Sequence, residues 1–222
     1  MKTKAKSIFV AGVFLLAVFV LWTVLIRTVD VKPVGVNGTD VGFAALNTWF
    51  HSITGVNMTL YTVTDWLGLV PLFGCFVLGI MGFLQMIKRK SLFKVDFDII
   101  ASGVYYIIVI LCYLGFEMIP INYRPVLING VAEASYPSST TLLVLSVMPT
   151  LADFIISRNK SDILNKLVIA LSVLFCSFMV IGRLISGVHW VTDIAGSILL
   201  SAGLFFVYKG VILWSLTKKY RS

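Results

Sequence analysis

The sequence predicts an all-α, polytopic membrane protein: six transmembrane helices in one domain spanning residues 1–222, with a further helix along the outer interface. Three observations carry that reading. Of 222 residues, 59% are hydrophobic and 13% charged, against about 45–50% and about 25% in soluble domains. Mean hydropathy is +0.97, which leaves too little polar surface to face water on all sides. Six apolar runs, at 8–26, 67–87, 97–117, 139–157, 163–182 and 191–214, are each close to span length. A run of about 19 residues at 1.5 Å each covers roughly 28 Å, the thickness of the hydrocarbon layer. Lysine and arginine gather at alternate ends of these runs.

The first run follows Lys2, Lys4 and Lys6. It is longer than a signal-peptide core and no small-residue cleavage site follows, so it reads as a retained helix. The connection 27–66 is the longest. Within it, Phe43, Leu46, Phe50 and Ile53 recur at helical spacing with Trp49 beside them. An amphipathic helix over 41–53 is expected to lie in the interface, as an anchor or as a route for lipid. Asn37 and Asn57 open formal glycosylation sequons, which carry no meaning in a bacterial protein.

Orientation follows from the charges. With the N-terminus inside, Lys2, Lys4, Lys6, Lys88, Arg89, Lys90, Lys94, Arg158, Lys160, Lys166, Lys209, Lys218, Lys219 and Arg221 are cytoplasmic, 14 of the 18 basic residues. Arg27, Lys32, Arg124 and Arg183 remain outside. The asymmetry puts both termini in the cytoplasm of a bacterial cell membrane. It also accounts for the net charge of +8 without nucleic acid as a partner, since no Arg-rich helix or aromatic RNA-binding motif is present. Cys75, Cys112 and Cys176 all lie in apolar runs without metal-ligand spacing and read as small hydrophobes. Asp153 is the main acidic residue within a span, and no charge relay joins two helices, which argues against a transporter.

Chemistry gathers in three stretches that this topology places on the outer side. The first is Ile121-Asn122-Tyr123-Arg124-Pro125, and the second is Tyr136-Pro137-Ser138-Ser139-Thr140-Thr141, which opens a helix. The third runs from Gly182-Arg183 through Gly187-Val188-His189-Trp190 to Asp193. Arginine offers a planar fork of donors that matches phosphate oxygens. Ser138 and Ser139, at a helix start, would add free amides and the positive end of the helix dipole. Gly187 would let backbone approach an oxyanion. His189 and Asp193, four apart, would share a helix face, so that the carboxylate fixes the imidazole tautomer. Taken singly, the arginines read as interface anchors, the serines as a cap and the His–Asp pair as structural. Their convergence reads as a phosphate site.

These stretches resemble the three signature motifs of the type 2 phosphatidic acid phosphatase (PAP2) superfamily. Arg183, His189 and Asp193 match Arg-x5-His-x3-Asp. Arg124-Pro125 match the end of Lys-x6-Arg-Pro, and Pro137, Ser138 and Ser139 match the start of Pro-Ser-Gly/Ser-His. The resemblance implies a six-helix lipid phosphatase in which His189 attacks phosphorus to form a phosphohistidine and Asp193 orients it. Arg124, Arg183 and the amides near Ser138 and Ser139 would hold the phosphoryl oxygens. No cofactor and no metal are implied. Two positions depart from the motifs: Glu117 stands where the family keeps lysine, and Thr140 where it keeps the histidine that protonates the leaving oxygen.

A leaving alkoxide, with a conjugate acid of pKa ~16, needs that proton. A leaving phosphate, with a second pKa of about 6, does not. The first expectation is therefore hydrolysis or phosphotransfer on a lipid diphosphate, a polyprenyl diphosphate being the leading substrate. The alternatives are phosphatidate or phosphatidylglycerol phosphate hydrolysis, and a pseudoenzyme that binds phosphorylated lipid without turnover. His51 is the other histidine and a candidate substitute acid.

Overall fold

The computed structural model describes residues 2–219, without the side chains of Lys218 and Lys219. Arg221 lies outside the described residues. Eight α-helices are present among them: α1 Lys2–Thr28, α2 Ala44–Thr54, α3 Met58–Leu67, α4 Leu69–Arg89, α5 Phe97–Met118, α6 Ser139–Arg158, α7 Asp162–Ile185 and α8 Val191–Lys219. Six spans are long and apolar enough to cross a membrane, α3 and α4 forming one of them. The chain is a multi-pass membrane protein, as its composition requires.

Each helix covers its expected run with modest extension at the ends. Phe14, Phe73, Phe83 and Leu174 stay exposed on the bundle's outside, where lipid replaces water and apolar surface carries no penalty. Inside, Phe19, Tyr106, Tyr136, Leu142, Val147 and Leu200 form the core shared by α1, α5, α6 and α8. The α1–α8 seam is built on glycine. A Cβ at Gly12 would stand 2.6 Å from Val207 N, and one at Gly210 would stand 2.8 Å from Phe9 Cβ.

Opposite charges tie the helices at one end of the bundle. Arg89 pairs with Asp96 at 2.7 Å, Arg158 bridges Asp96 and Asp98, and Lys209 pairs with Asp153. Asp153, the main acidic residue noted within a span, is therefore one half of an ion pair.

At the opposite end, the connection 27–66 is more ordered than expected. The interfacial helix begins at Ala44 rather than 41, because Phe43 takes a left-handed conformation (φ 48°) and stacks on Trp22 at 5.2 Å. Leu46, Trp49 and Ile53 face outward. The polar Asn47 is fully buried, donating to Gly42 O at 2.7 Å and Thr192 Oγ1 at 3.0 Å. This helix therefore docks by its polar face and offers its apolar face to lipid. The helix α3 was not expected. Asn57, the second formal sequon, caps it by accepting from Leu60 N at 2.9 Å.

Candidate active site

Three elements bring the predicted residues together beside α3. The segment 119–138 folds back on itself: Ile128 and Val131 exchange two backbone hydrogen bonds across Asn129 and Gly130, both at positive φ. Arg124 N donates to Glu133 O at 3.0 Å and Ser135 N to Asn122 O at 2.9 Å. That hairpin sets Arg124 and Ser135 side by side. Arg183 comes from the last turn of α7, His189 from the turn before α8, and Asp193 from the first turn of α8.

All four motif side chains are buried, Arg183 and Asp193 completely. His189 is the hub. Its Nε2 lies 3.2 Å from Arg124 Nη1 and 3.2 Å from Arg183 Nη2. Its Nδ1 lies 3.1 Å from Ser135 O. Guanidinium groups only donate and a carbonyl only accepts, so the proton sits on Nδ1 and Nε2 is unprotonated, its lone pair accepting from the two arginines. Burial, followed by the charges of Arg124 and Arg183, holds the imidazole well below its ordinary pKa. It is neutral at pH 7, the state a nucleophile needs.

Asp193 reaches His189 differently than expected. His189 lies outside α8, so the two do not share a helix face, and Asp193 Oδ2 is 3.9 Å from Nδ1. Ser135 Oγ stands between them, 3.1 Å from Nδ1 and 2.5 Å from Asp193 Oδ2. Trp190 N at 2.9 Å and Asn122 Nδ2 at 3.2 Å also donate to the carboxylate. Asp193 thus fixes the backbone and the serine that in turn fix the imidazole.

Other predicted residues have different neighbours. Ser138 is fully buried; its amide donates to Asp193 O at 3.4 Å and its hydroxyl to Thr141 Oγ1 at 3.0 Å. It joins α6 to α8 instead of facing an anion. Gly187 has φ 67°, and a Cβ there would stand 1.7 Å from Gly55 O. The close approach it permits is to the α2–α3 turn, not to an oxyanion. Ser139 and Thr140 line a cavity of about 430 Å³ with Asp65, Leu69, Leu72 and Tyr113. Glu117 is exposed on the last turn of α5. His51 packs against Trp190, ring centroids 5.6 Å apart, and burial lowers its pKa; it does not line the Thr140 cavity.

Ser135, Asn122, Glu133 and the α3 residues Tyr61, Thr64 and Asp65 were not singled out from the sequence. Glu133 Oε2 pairs with Arg124 Nε at 3.1 Å. Asp65 Oδ1 and Thr64 Oγ1 each lie 3.5 Å from Arg183 Nη1. Two signals could have found them. Asn129-Gly130 is a hairpin turn signal that pairs 122–124 with 133–135. Tyr61, Thr64, Asp65 and Gly68 recur at i, i+3, i+4 and i+7, a polar stripe on one helix face.

The family model of the PAP2 superfamily matches residues 117–216, which include every motif residue discussed above. The fold is similar to the crystal structure of a transmembrane PAP2-type phosphatidylglycerolphosphate phosphatase from Bacillus subtilis. The TM-score is 0.63 and the identity 21%, over 90% of this chain and 94% of that one. No curated protein matches the chain in sequence.

Proposed function

Starting from a chain whose residues 117–216 match the family model of the PAP2 superfamily, we propose that this protein is a lipid phosphatase or phosphotransferase with His189 as its nucleophile. The observation that carries the proposal is the pair of guanidinium groups converging on the unprotonated Nε2. A phosphoryl group placed there meets two bidentate donors and a neutral imidazole aimed at phosphorus. Nε2 attacks, the bond from phosphorus to the leaving oxygen breaks, and a phosphohistidine forms. Water then attacks that phosphorus, returning the imidazole and releasing phosphate. The Nδ1 proton stays on the Ser135 carbonyl side throughout, and the growing imidazolium charge is balanced by Asp193 through Ser135.

The cavity beside Thr140 is mostly apolar, framed by α3, α4, α5 and α6, and shares Asp65, 3.5 Å from Arg183 Nη1, with the site. It suits a hydrocarbon chain attached to the phosphate. With no acid at Thr140, the favoured substrate is a lipid diphosphate, a polyprenyl diphosphate first. The similarity to the Bacillus subtilis phosphatidylglycerolphosphate phosphatase supports phosphatidylglycerol phosphate as the second reading, and the exposed Glu117 near Arg124 supports a third, binding without turnover.

Phosphate release by purified protein over a panel of lipid mono- and diphosphates tests all three. Preferential release from diphosphates is expected; release only from phosphatidylglycerol phosphate would favour the second reading, and none at all the third. The proposed site is on the outer face of a cell membrane. In a background lacking Cys75, Cys112 and Cys176, Asn129→Cys is expected to react with a membrane-impermeant thiol reagent in intact cells, and Lys160→Cys only after permeabilisation. The reverse pattern would invert the topology.

A further inference from the structure

The position of Arg183 raises a physical problem that its polar contacts do not solve. The side chain is fully buried, and its Nε has no hydrogen-bond partner among the described residues. Nη1 has only two long contacts, 3.5 Å each, and Nη2 rests on neutral His189. A buried cation with so little compensation is strongly disfavoured. Arg124, also buried, points its own cation at the same imidazole nitrogen, so the two like charges are held close together.

One ring faces both. The Tyr61 centroid is 4.8 Å from Arg183 Cζ and 5.8 Å from Arg124 Cζ. An aromatic face attracts a cation through its quadrupole. It does so without accepting any N–H, whereas a carboxylate occupies the same fork of donors that a phosphate requires. A ring can therefore add to the compensation that Glu133 gives Arg124 Nε and Asp65 gives Arg183 Nη1 without taking any further donor.

The local structure places it there. Asn57 caps α3 and also donates its amide to Ser186 O at 2.9 Å, which fastens the start of the helix to the turn beside His189. At Gly182 a Cβ would stand 2.7 Å from Thr64 Cγ2, so a missing side chain on α7 lets α3 approach. Tyr61 lies one turn before Thr64 and Asp65 and so shares their face toward Arg183. The whole helix falls before the segment matched by the family model.

We infer that Tyr61 is a positioning residue of the phosphate clamp, its ring holding Arg183 and Arg124 charged, aimed and free to donate. The inference rests on the phosphate-clamp reading above. Replacing Tyr61 by phenylalanine and then by phenylalanines carrying one to five fluorines tests it, because fluorine drains the face of the ring while nearly preserving its shape. Affinity for inorganic phosphate, titrated by calorimetry on purified full-length protein, is the readout. Tyr61→Phe is expected to stay within about twofold of the unsubstituted protein, and the pentafluoro ring to bind about tenfold more weakly. Affinity is expected to fall in order of fluorine number. Tyr61→Leu, with size but no π face, is expected to match the pentafluoro ring.

A series of constant affinity, or a loss already complete in Tyr61→Phe, would overturn the inference, since packing or the hydroxyl would then be the working part. Unsubstituted protein that binds no phosphate would instead remove the clamp itself, and the ring's role with it. Phosphate binding is measured apart from turnover, so a protein without phosphatase activity still reports on Tyr61.

Discussion

His189→Ala is expected to bring lipid phosphate hydrolysis down by roughly 10⁴-fold or more, to the background rate, while phosphate binding survives. The expectation follows from what each ring atom does. Nε2 is the lone pair on which Arg124 and Arg183 converge, each at 3.2 Å, and among the described residues no other nucleophilic atom bonds to both. Removing the ring leaves both arginines and their aromatic support in place, so an anion still binds. Turnover measured beside phosphate affinity separates the two roles. Hydrolysis persisting in His189→Ala would eliminate the covalent route. Asp193→Asn is expected to be the milder lesion, because Ser135 O continues to hold Nδ1 at 3.1 Å when the carboxylate charge is gone. A loss equal to that of His189→Ala would mean that Asp193 acts on the imidazole more directly than its 3.9 Å separation implies.

The second large effect is a gain. Thr140→His is expected to raise hydrolysis of lipid monophosphates selectively, by up to the roughly 10²–10⁴-fold that general acids contribute. Thr140 stands on the first turn of α6 and lines the cavity beside the clamp. Its methyl group is close to Gly68, where a Cβ would stand 3.2 Å away, and Gly68 also lines that cavity. An imidazole there would protonate a departing alkoxide. For a diphosphate the leaving group is a phosphate whose second pKa is about 6, and the added acid changes little. The ratio of the two rates within one variant cancels differences in expression and detergent. Equal gains would mean that proton donation limits every substrate, and no gain on either would favour a protein that binds without turnover.

Much of this was legible in the sequence because its causes are local. Span length and charge asymmetry are properties of continuous segments, and all six spans appear where the apolar runs lie. Arg124, Arg183, His189 and Asp193 could be grouped because two rules, topology and motif spacing, point to the same end of the bundle. What stayed hidden depends on chain paths. Ser135 becomes the link between Asp193 and His189 only because the Asn129-Gly130 turn folds its strand against Asn122. Tyr61 gains its two cations only because Gly182 admits α3. Ser138 and Gly187 show the opposite case: both are residue types that suit an oxyanion, yet each is committed to a neighbouring backbone, at Asp193 and Gly55.

The glycine seam between α1 and α8 has a consequence for how the protein is made. Helices enter the membrane in the order of synthesis, and α1 has its main partner in α8, the sixth span described. Until α8 arrives, the close-approach surface around Gly12 has nothing to close on, and the chain is an open set of five spans. The same late helix carries Asp193 and follows directly on His189, while its Thr192 receives Asn47 from the interfacial helix. Assembly of the bundle and assembly of the proposed centre therefore both wait on the arrival of α8. A ribosome-stalled chain ending before α8 would hold both arginines and His189 but not Asp193, so the proposed centre is incomplete until α8 is in place.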